Sequence, residues 1–200
     1  MLDAKIRPFI EPPLNQIGRW LAACNIKANQ VTLFGLFVGI LACFTVATSN
    51  YTYAVIFIIL NRLCDGLDGA IAREKGLSDF GGFLDICCDF IVYTGIIFAF
   101  AIADPENALY AAFLIFSFIG TISTFLTYAI IAEKRGRTSY LQNDKSFYYL
   151  SGICEGTETF AILLLMCFVP SIFAILCILY GLLCWATTIA QIMQAQKDFS

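Results

Sequence analysis

The sequence predicts an all-α integral membrane protein with six transmembrane helices, preceded by an N-terminal amphipathic helix at the membrane interface. Three observations indicate this class. Of the 200 residues, 60% are hydrophobic and only 14% are charged, and the mean hydropathy is +0.79. A soluble domain carries roughly 25% charged residues, and a soluble core of this size cannot hold so many apolar side chains. We therefore expect most of the chain to lie in lipid.

Six apolar segments have about the 20 residues that a helix needs to cross the hydrocarbon core. They are residues 30–48, 51–72, 80–103, 108–132, 152–169 and 171–194. Turn-forming residues separate several of them, and the spans leave no room for a soluble domain. The whole chain, 1–200, is thus predicted to be a single membrane domain whose six-helix bundle covers 30–196.

Residues 1–24 form the predicted interfacial helix. Apolar residues recur at helical spacing with basic residues between them, as at Ile10, Leu14, Ile17 and Arg19. A helix of this kind lies in the interface rather than crossing it. Acids and prolines precede the first long apolar run, so a secretory signal peptide is not evident.

The basic residues predict the orientation of the chain. Eleven of the twelve Lys and Arg residues fall in the N-terminus, the 2–3 loop, the 4–5 loop or the C-terminus, and Arg62 is the exception. Six spans place these four regions on one side, which the positive-inside rule makes cytoplasmic. We expect both termini in the cytoplasm. No basic tract or nucleic-acid motif is present, so nucleic acid is not an expected partner.

Four aspartates interrupt spans two and three, where carboxylates are costly. Asp65 and Asp68 share one face of span two, and Asp85 and Asp89 share one face of span three. If the two spans form an antiparallel hairpin, the residue number midway between Asp68 and Asp85 nearly equals the one midway between Asp65 and Asp89. Asp68 therefore lies at the depth of Asp85, and Asp65 lies at the depth of Asp89. Asp65 precedes Arg73 by on the order of 12 Å of helix, which places the cluster just below the cytoplasmic surface.

Four carboxylates this close cannot all stay ionised unless cations neutralise them. All-oxygen ligands favour hard cations such as Mg²⁺, Mn²⁺ or Ca²⁺, and paired metals recur in displacement at phosphorus. Glycines at 66, 69, 81 and 82 indicate that something bulky approaches the backbone. Arg73 can meet a phosphate with two hydrogen bonds. The pattern predicts metal-dependent phosphoryl transfer on a lipid.

Two other interpretations of the aspartates stay open at this point. The acids could pair with Arg62 and Arg73, although two arginines cannot pair four acids. The protein could instead be a membrane cation or proton transporter, because intramembrane acids also mark ion pathways. Against transport, the acids crowd one end of two helices, whereas a relay needs polar groups at further depths.

Residues 65–73, DGLDGAIAR, followed by Gly81, Asp85 and Asp89, resemble the signature D-x-x-D-G-x-x-A-R…G-x-x-x-D-x-x-x-D of the CDP-alcohol phosphatidyltransferase family. All eight defined positions match in order, and the chain length and six-span layout agree. Seven residues separate Arg73 from Gly81, where eight is common. The stretch NRLCDGLDGA is similar to a Gram-negative inner-membrane branch of the family, which implies a bacterial inner membrane and a cytoplasmic active site.

The resemblance implies a role for each aspartate. Asp65, Asp68 and Asp85 would be ligands of two Mg²⁺ or Mn²⁺ ions. Asp89 would be the base that takes a proton from the acceptor hydroxyl, and it would also be a metal ligand. The implied reaction is attack of an alcohol on the β-phosphorus of CDP-diacylglycerol, with release of CMP. The acceptor stays open among glycerol phosphate, inositol or its phosphate, serine and other alcohols.

The resemblance also implies a binding site for the CDP group. Gly69, Ala72 and Gly81 would leave space for the nucleotide, and Arg73 would lie near its phosphates. The segment Ala28 to Thr32 is similar to the Pro-Asn-x-x-Thr motif of the family, with Ala28 in place of proline. Asn29 and Thr32 are therefore expected to contact the nucleotide, with helix capping by Asn29 as the alternative.

Charged residues near the start of span five predict a pocket for the acceptor. Glu155 and Glu158 share a face there, and Lys145 and Arg135 precede them. The alternatives are acids favoured by the helix dipole and a cytoplasmic loop that is basic for topological reasons.

Small residues in span four predict close helix packing and, together with the family resemblance, a homodimer. They are Ser117, Gly120, Thr121 and Thr124.

Overall fold

The computed structural model describes residues 3–135 and 156–200, with side chains from residue 11 onward. Within these ranges the chain forms seven α-helices and no β-strand. The helices are α1 Asp3–Ala23, α2 Ala28–Ala47, α3 Tyr51–Lys75, α4 Asp79–Ala103, α5 Ala108–Lys134, α6 Gly156–Phe168 and α7 Phe173–Phe199. The all-α prediction is confirmed for the described residues. Each predicted span overlaps one of α2 to α7, although residues 152–155 of the fifth lie outside the described residues, and the segment predicted to be interfacial forms α1.

Four helical segments in the described part of the chain are long and apolar enough to cross a membrane. They are Ala28–Ala47, Asp79–Ala103, Pro105–Lys134 and Pro170–Phe199. The helix α6 is apolar but has only 13 described residues, and α3 is long enough but carries charged residues in its second half. Large apolar side chains such as Phe34, Phe44 and Phe98 are exposed on the outer surface. A surface of this kind belongs in lipid, and the protein is an integral membrane protein.

The loop between α3 and α4 is short because both helix ends are locally defined. The helix α3 ends at Gly76, whose φ of 106° is readily adopted by glycine alone. Ser78 begins α4 by accepting a hydrogen bond from the amide of Gly81 at 3.1 Å. This short connection makes α3 and α4 an antiparallel hairpin, which brings their aspartates towards each other.

The hydrophobic core lies towards the opposite end of this hairpin. Ile97 and Phe100 of α4 are buried there with Phe173 and Cys177 of α7. The rings of Phe100 and Phe173 stack with their centroids 4.4 Å apart. The aspartates of α3 and α4 therefore lie outside this core, at the other end of the hairpin.

The helix α1 packs closely along the second half of α3. A Cβ atom at Gly18 would lie 2.6 Å from Cβ of Ala70, and one at Gly66 would lie 2.7 Å from a methyl group of Leu14. Contacts this short are essentially never seen for real Cβ atoms. A bulky group was expected to approach the backbone at Gly66, and the group that does so is the side chain of Leu14 on α1.

The small residues of α5 pack against α7 of the same chain. A Cβ atom at Gly120 would lie 2.9 Å from the hydroxyl of Thr188. Thr124 donates a 2.5 Å hydrogen bond to Oε1 of Gln191. This face is thus used within the chain, so the predicted homodimer rests on the family resemblance alone.

Candidate metal and substrate site

Three of the four aspartates meet at one point of the hairpin. One carboxylate oxygen from each of Asp65, Asp68 and Asp85 lies within 4.8 Å of the other two. Asp89 lines the same cavity but is outside this set of three. The shorter spacer between Arg73 and Gly81 therefore does not prevent the meeting of α3 and α4 acids that the sequence predicted.

The cavity is built by three helices. Besides the four aspartates, its lining residues are Thr32, Gly35, Leu36, Asn61 and Cys88. The amide of Asn61 donates to the backbone carbonyl of Gly35 at 2.9 Å, which joins α3 to α2 beside the acids. A wall so rich in oxygen atoms suits a cation or a polar group rather than an acyl chain.

Two of the three clustered acids are held by hydrogen bonds from other side chains. Thr32 of α2 donates to Oδ2 of Asp68 at 2.6 Å, and Asp68 is only 5% exposed. Arg62 forms an ion pair with Asp65 one turn away on α3. Pairing of an acid with Arg62 was one of the alternatives for the cluster, and it holds for Asp65.

A tyrosine that the sequence interpretation missed holds the fourth acid. The hydroxyl of Tyr93 donates to Oδ2 of Asp89 at 3.0 Å. The two residues are four apart on α4, a spacing that places side chains next to each other on a helix. That spacing was the available signal for this contact.

Arg73 is held by the N-terminal helix. Its Nη2 donates to Oδ1 of Asn15 at 2.9 Å. A Cβ atom at Gly69 would lie 3.4 Å from Nη1 of Arg73, so the guanidinium lies over that glycine. Ala72 is partly buried just before it. The α1 helix thus contributes directly to the position of a predicted phosphate-binding residue.

Asn29 lies beside the first turn of α4. A Cβ atom at Gly81 would lie 3.2 Å from Oδ1 of Asn29 and 2.9 Å from the hydroxyl of Ser78. Lys27, rather than Asn29, is the N-cap residue of α2. The alternative that Asn29 caps the helix is therefore wrong, and Asn29 and Gly81 are close as the predicted nucleotide site requires.

Arg135, predicted to line the acceptor pocket, contacts the C-terminal end of α7 in the structure. Its Nη2 donates to the carbonyl of Phe199 at 2.7 Å, and its guanidinium lies 5.2 Å from the centre of the Phe199 ring. The side chain thus satisfies carbonyl groups at the C-terminal end of α7, where a positive charge is favourable.

The other predicted acceptor residues divide into described and undescribed ones. Glu158 lies in the first turn of α6 and is partly buried. A Cβ atom at Gly156 would lie 3.6 Å from Nη2 of Arg62, so the start of α6 adjoins the ion pair with Asp65. Glu155 and Lys145 lie outside the described residues.

The donor set fits a hard divalent cation. Asp65, Asp68 and Asp85 offer oxygen ligands alone, which Mg²⁺ and Mn²⁺ prefer. Asp68 is nearly removed from solvent and lies close to two further carboxylates. In the described part of the chain Arg62 is the cation paired with this cluster, and one positive charge does not balance three carboxylates. The cluster can therefore hold a metal ion.

The acidic, oxygen-lined cavity between α2, α3 and α4 is typical of integral membrane proteins that bind cations or charged groups. Residues 25–195 match the sequence model of the CDP-alcohol phosphatidyltransferases, and the chain belongs to this family. It is a transferase of phospholipid biosynthesis, and the family resemblance of the signature is confirmed.

Relatives and a solved structure agree with this family. The chain is 45% identical over 193 residues to the inner membrane protein YnjF of Escherichia coli K12, covering 96% of this chain and 94% of that protein. It is 39% identical over 100 residues to archaetidylinositol phosphate synthase of Pyrococcus horikoshii, covering 50% and 53%. Its fold is similar to phosphatidylinositol phosphate synthase PgsA1 of Mycobacterium tuberculosis with CDP-DAG bound. The TM-score is 0.71 at 18% identity, with 90% and 92% covered.

Proposed function

We propose that this protein transfers a phosphatidyl group from CDP-diacylglycerol to an alcohol and releases CMP, at the cavity between α2, α3 and α4. The observation that carries the proposal is the meeting of Asp65, Asp68 and Asp85 within 4.8 Å. Family membership and the CDP-DAG bound to PgsA1 support this donor. Two similar proteins are named as synthases of inositol phosphate lipids, so inositol phosphate is the first acceptor to test.

Asp65, Asp68 and Asp85 would hold two Mg²⁺ or Mn²⁺ ions. When bound, such ions supply positive charge to the pyrophosphate oxygens and to the leaving CMP. Thr32 and Arg62 fix the orientation of Asp68 and Asp65 through the contacts described above. Thr32 therefore acts through Asp68, and a direct contact with the nucleotide is not needed to explain it.

Asp89 is the proposed base. It takes the proton from the acceptor hydroxyl while that oxygen forms a bond to the β-phosphorus, and the bond from this phosphorus to CMP breaks. Asp89 suits this role because it lies in the same cavity as the three clustered acids but outside their closest group. The second role predicted for Asp89, as a metal ligand, is not part of this proposal because its carboxylate lies outside the set of three.

The CDP group binds beside the cluster. Gly69, Ala72 and Gly81 leave space for it, Asn29 lies at Gly81, and Arg73 contacts its phosphates. The acceptor enters near Arg62 and the first turn of α6, where Glu158 lies. Glu155 and Lys145 stay predictions for that pocket, whereas Arg135 is engaged at the end of α7 and is not retained.

The whole chain is proposed to be one domain, with α2 to α7 as six spans and α1 in the interface. Trp20 supports the interfacial position because it is 65% exposed on α1, and tryptophan is enriched at this depth. The segregation of basic residues supports cytoplasmic termini and a cytoplasmic active site. A green fluorescent protein fused to the C-terminus should fluoresce, and an alkaline phosphatase fused there should be inactive. The reverse pattern would contradict this orientation.

The function is tested with purified protein, CDP-diacylglycerol and Mg²⁺ or Mn²⁺, across inositol phosphate, inositol, glycerol phosphate and serine. CMP is measured by chromatography and the lipid product by mass spectrometry. We expect release that depends on one acceptor and falls by about 100-fold or more in Asp89→Asn. Folded protein that releases no CMP with any acceptor would contradict the proposal. Ion flux into liposomes would then be the next measurement, since transport was the alternative for these acids.

A further inference from the structure

We propose that Tyr93 is a positioning residue for the base, whose hydroxyl holds one oxygen of Asp89 and leaves the other to take the proton. The inference rests on the proposed role of Asp89. It goes beyond that role because Tyr93 is not part of the family signature and was not expected from the sequence.

The contact is direct and well placed. The Tyr93 hydroxyl donates to Oδ2 of Asp89 at 3.0 Å. Tyr93 is 7% exposed, whereas Asp89 is partly buried and lines the cavity. The hydroxyl therefore approaches the carboxylate from the buried side and leaves the cavity side to the substrate.

The phenol ring is itself held in place. Tyr93 belongs to the hydrophobic core cluster and meets the ring of Phe90 edge-on, with their centroids 6.5 Å apart. A Cβ atom at Gly156 would lie 3.9 Å from the Tyr93 hydroxyl, so the start of α6 packs beside this hydroxyl. A tyrosine has two side-chain torsions, and packing on several sides makes it a rigid donor.

A rigid donor matters because a carboxylate can rotate about its Cβ–Cγ bond. Proton abstraction needs the accepting oxygen within hydrogen-bond reach of the hydroxyl, and small displacements are costly for such steps. In the proposed step the Tyr93 proton stays on the phenol oxygen. The acceptor proton moves to the other oxygen of Asp89 as the new phosphorus–oxygen bond forms and the bond to CMP breaks.

Tyr93 differs from Thr32 and Arg62 in the acid that it holds. Those two residues contact Asp68 and Asp65, which belong to the clustered set of three. Tyr93 contacts Asp89, which does not. Loss of the Tyr93 hydroxyl should therefore lower turnover and leave metal binding unchanged.

The test is Tyr93→Phe, which removes one oxygen atom and keeps the ring. We expect kcat to fall by roughly 10- to 100-fold, the range typical of lost outer-shell contacts. The KM for CDP-diacylglycerol and the Mn²⁺ dissociation constant, the latter measured by calorimetry, should change by less than about 2-fold because the hydroxyl contacts Asp89 rather than the three clustered acids. In an Asp89→Asn background, Tyr93→Phe should have no further effect on kcat.

Tyr180→Phe is the matched control. Tyr180 is 4% exposed in the same core cluster, and its hydroxyl lies 2.8 Å from that of Thr159. The control removes a buried, hydrogen-bonded hydroxyl without touching an aspartate of the cavity. It should lower the unfolding temperature to a similar degree and leave kcat unchanged.

Two results would overturn the inference. One is a kcat of Tyr93→Phe that is no lower than that of Tyr180→Phe. The other is a fall in kcat on adding Tyr93→Phe to Asp89→Asn that is as large as the fall in the wild-type background. If Tyr93→Phe does not fold, Tyr93→Met takes its place, since methionine adapts to irregular core gaps.

A failure of the proposed function can be told apart from a failure of the contact. A double-mutant cycle of Tyr93→Phe and Asp89→Ala in thermal unfolding measures the hydrogen bond without any activity, because alanine removes the accepting oxygen. Coupling in a protein that has no transferase activity would overturn the role of Asp89 as the base. An active protein without coupling would overturn the role of Tyr93.

Discussion

The hydroxyl of Thr32 donates a 2.6 Å hydrogen bond to Oδ2 of Asp68 and so joins α2 to the acidic face of α3. The sequence placed Thr32 at the nucleotide. In the structure its hydroxyl donates to a carboxylate of the cluster, which is itself nearly buried, and the contact with the nucleotide stays a prediction. Groups that hold a ligand in place often affect metal affinity almost as much as the ligands do.

Thr32→Val should therefore weaken Mn²⁺ binding by roughly 10-fold or more, whereas Thr32→Ser, which keeps the hydroxyl, should stay close to wild type. Calorimetric titration of Mn²⁺ into metal-free protein measures both. Thr45→Val is the control on the same helix, because the Thr45 hydroxyl bonds only to backbone carbonyls of Leu41 and Ala42 in the described structure. Equal Mn²⁺ affinity in Thr32→Val and Thr45→Val would contradict this interpretation.

Asp85→Asn should change stability in opposite directions with and without metal. It removes one of three neighbouring negative charges, so the unfolding temperature measured in EDTA should rise. The additional stabilisation by Mn²⁺ should disappear because a ligand is lost. Asp104→Asn, at the other end of α4, keeps an N-cap residue and should behave like wild type in both conditions. An Asp85→Asn protein that Mn²⁺ still stabilises fully would show that the cluster is not the metal site.

Asn15→Leu should raise the KM for CDP-diacylglycerol by roughly 2- to 10-fold. Asn15 accepts a hydrogen bond from Arg73 at 2.9 Å, and a hydrogen bond of this kind contributes about 0.5–1.5 kcal/mol. Steady-state kinetics with varied CDP-diacylglycerol measures the change. Gln16→Leu alters the neighbouring, exposed position of α1 and is the control. An equal rise in KM in both variants would contradict this prediction, because it would mean that a new leucine on α1 raises KM without the loss of the hydrogen bond to Arg73.

Gly18→Leu should separate α1 from α3, because even a Cβ atom there would lie 2.6 Å from Ala70. Limited trypsin digestion, followed by mass spectrometry, should show faster cleavage after Arg19 than in wild type. Gln16→Leu adds the same side chain to an exposed face and should leave the cleavage rate unchanged. A cleavage rate in Gly18→Leu equal to that of the control would mean that α1 is not held by this contact.

Local spacing was enough to predict the core of the candidate site. The separations of three and four residues placed each pair of aspartates on one helix face, and the short loop brought Asp68 and Asp85 together. The Tyr93 contact was within reach of the same rule, since Asp89 and Tyr93 are four apart.

Contacts that depend on how distant helices dock were out of reach. Asn15 and Arg73 are 58 residues apart, and nothing in either segment specifies the position of α1 along α3. Basic residues in a loop predict the cytoplasmic side, but the choice of Phe199 as the partner of Arg135 depends on the packing of α5 on α7. Small residues such as Gly120 predict close packing and do not tell a helix of the same chain from one of a second chain.

The central claim is that the carboxylates between α3 and α4 hold the metal that transfer from CDP-diacylglycerol requires. The most direct measurement is the rate of CMP release as Mn²⁺ is added to protein from which EDTA has removed the metal, in the presence of the acceptor. The assay compares wild type with Asp68→Asn and Asp104→Asn. We expect wild type and Asp104→Asn to be inactive without Mn²⁺ and to recover fully, and Asp68→Asn to stay at least about 100-fold slower. Release of CMP without metal, or recovery of Asp68→Asn to the wild-type rate, would contradict the claim.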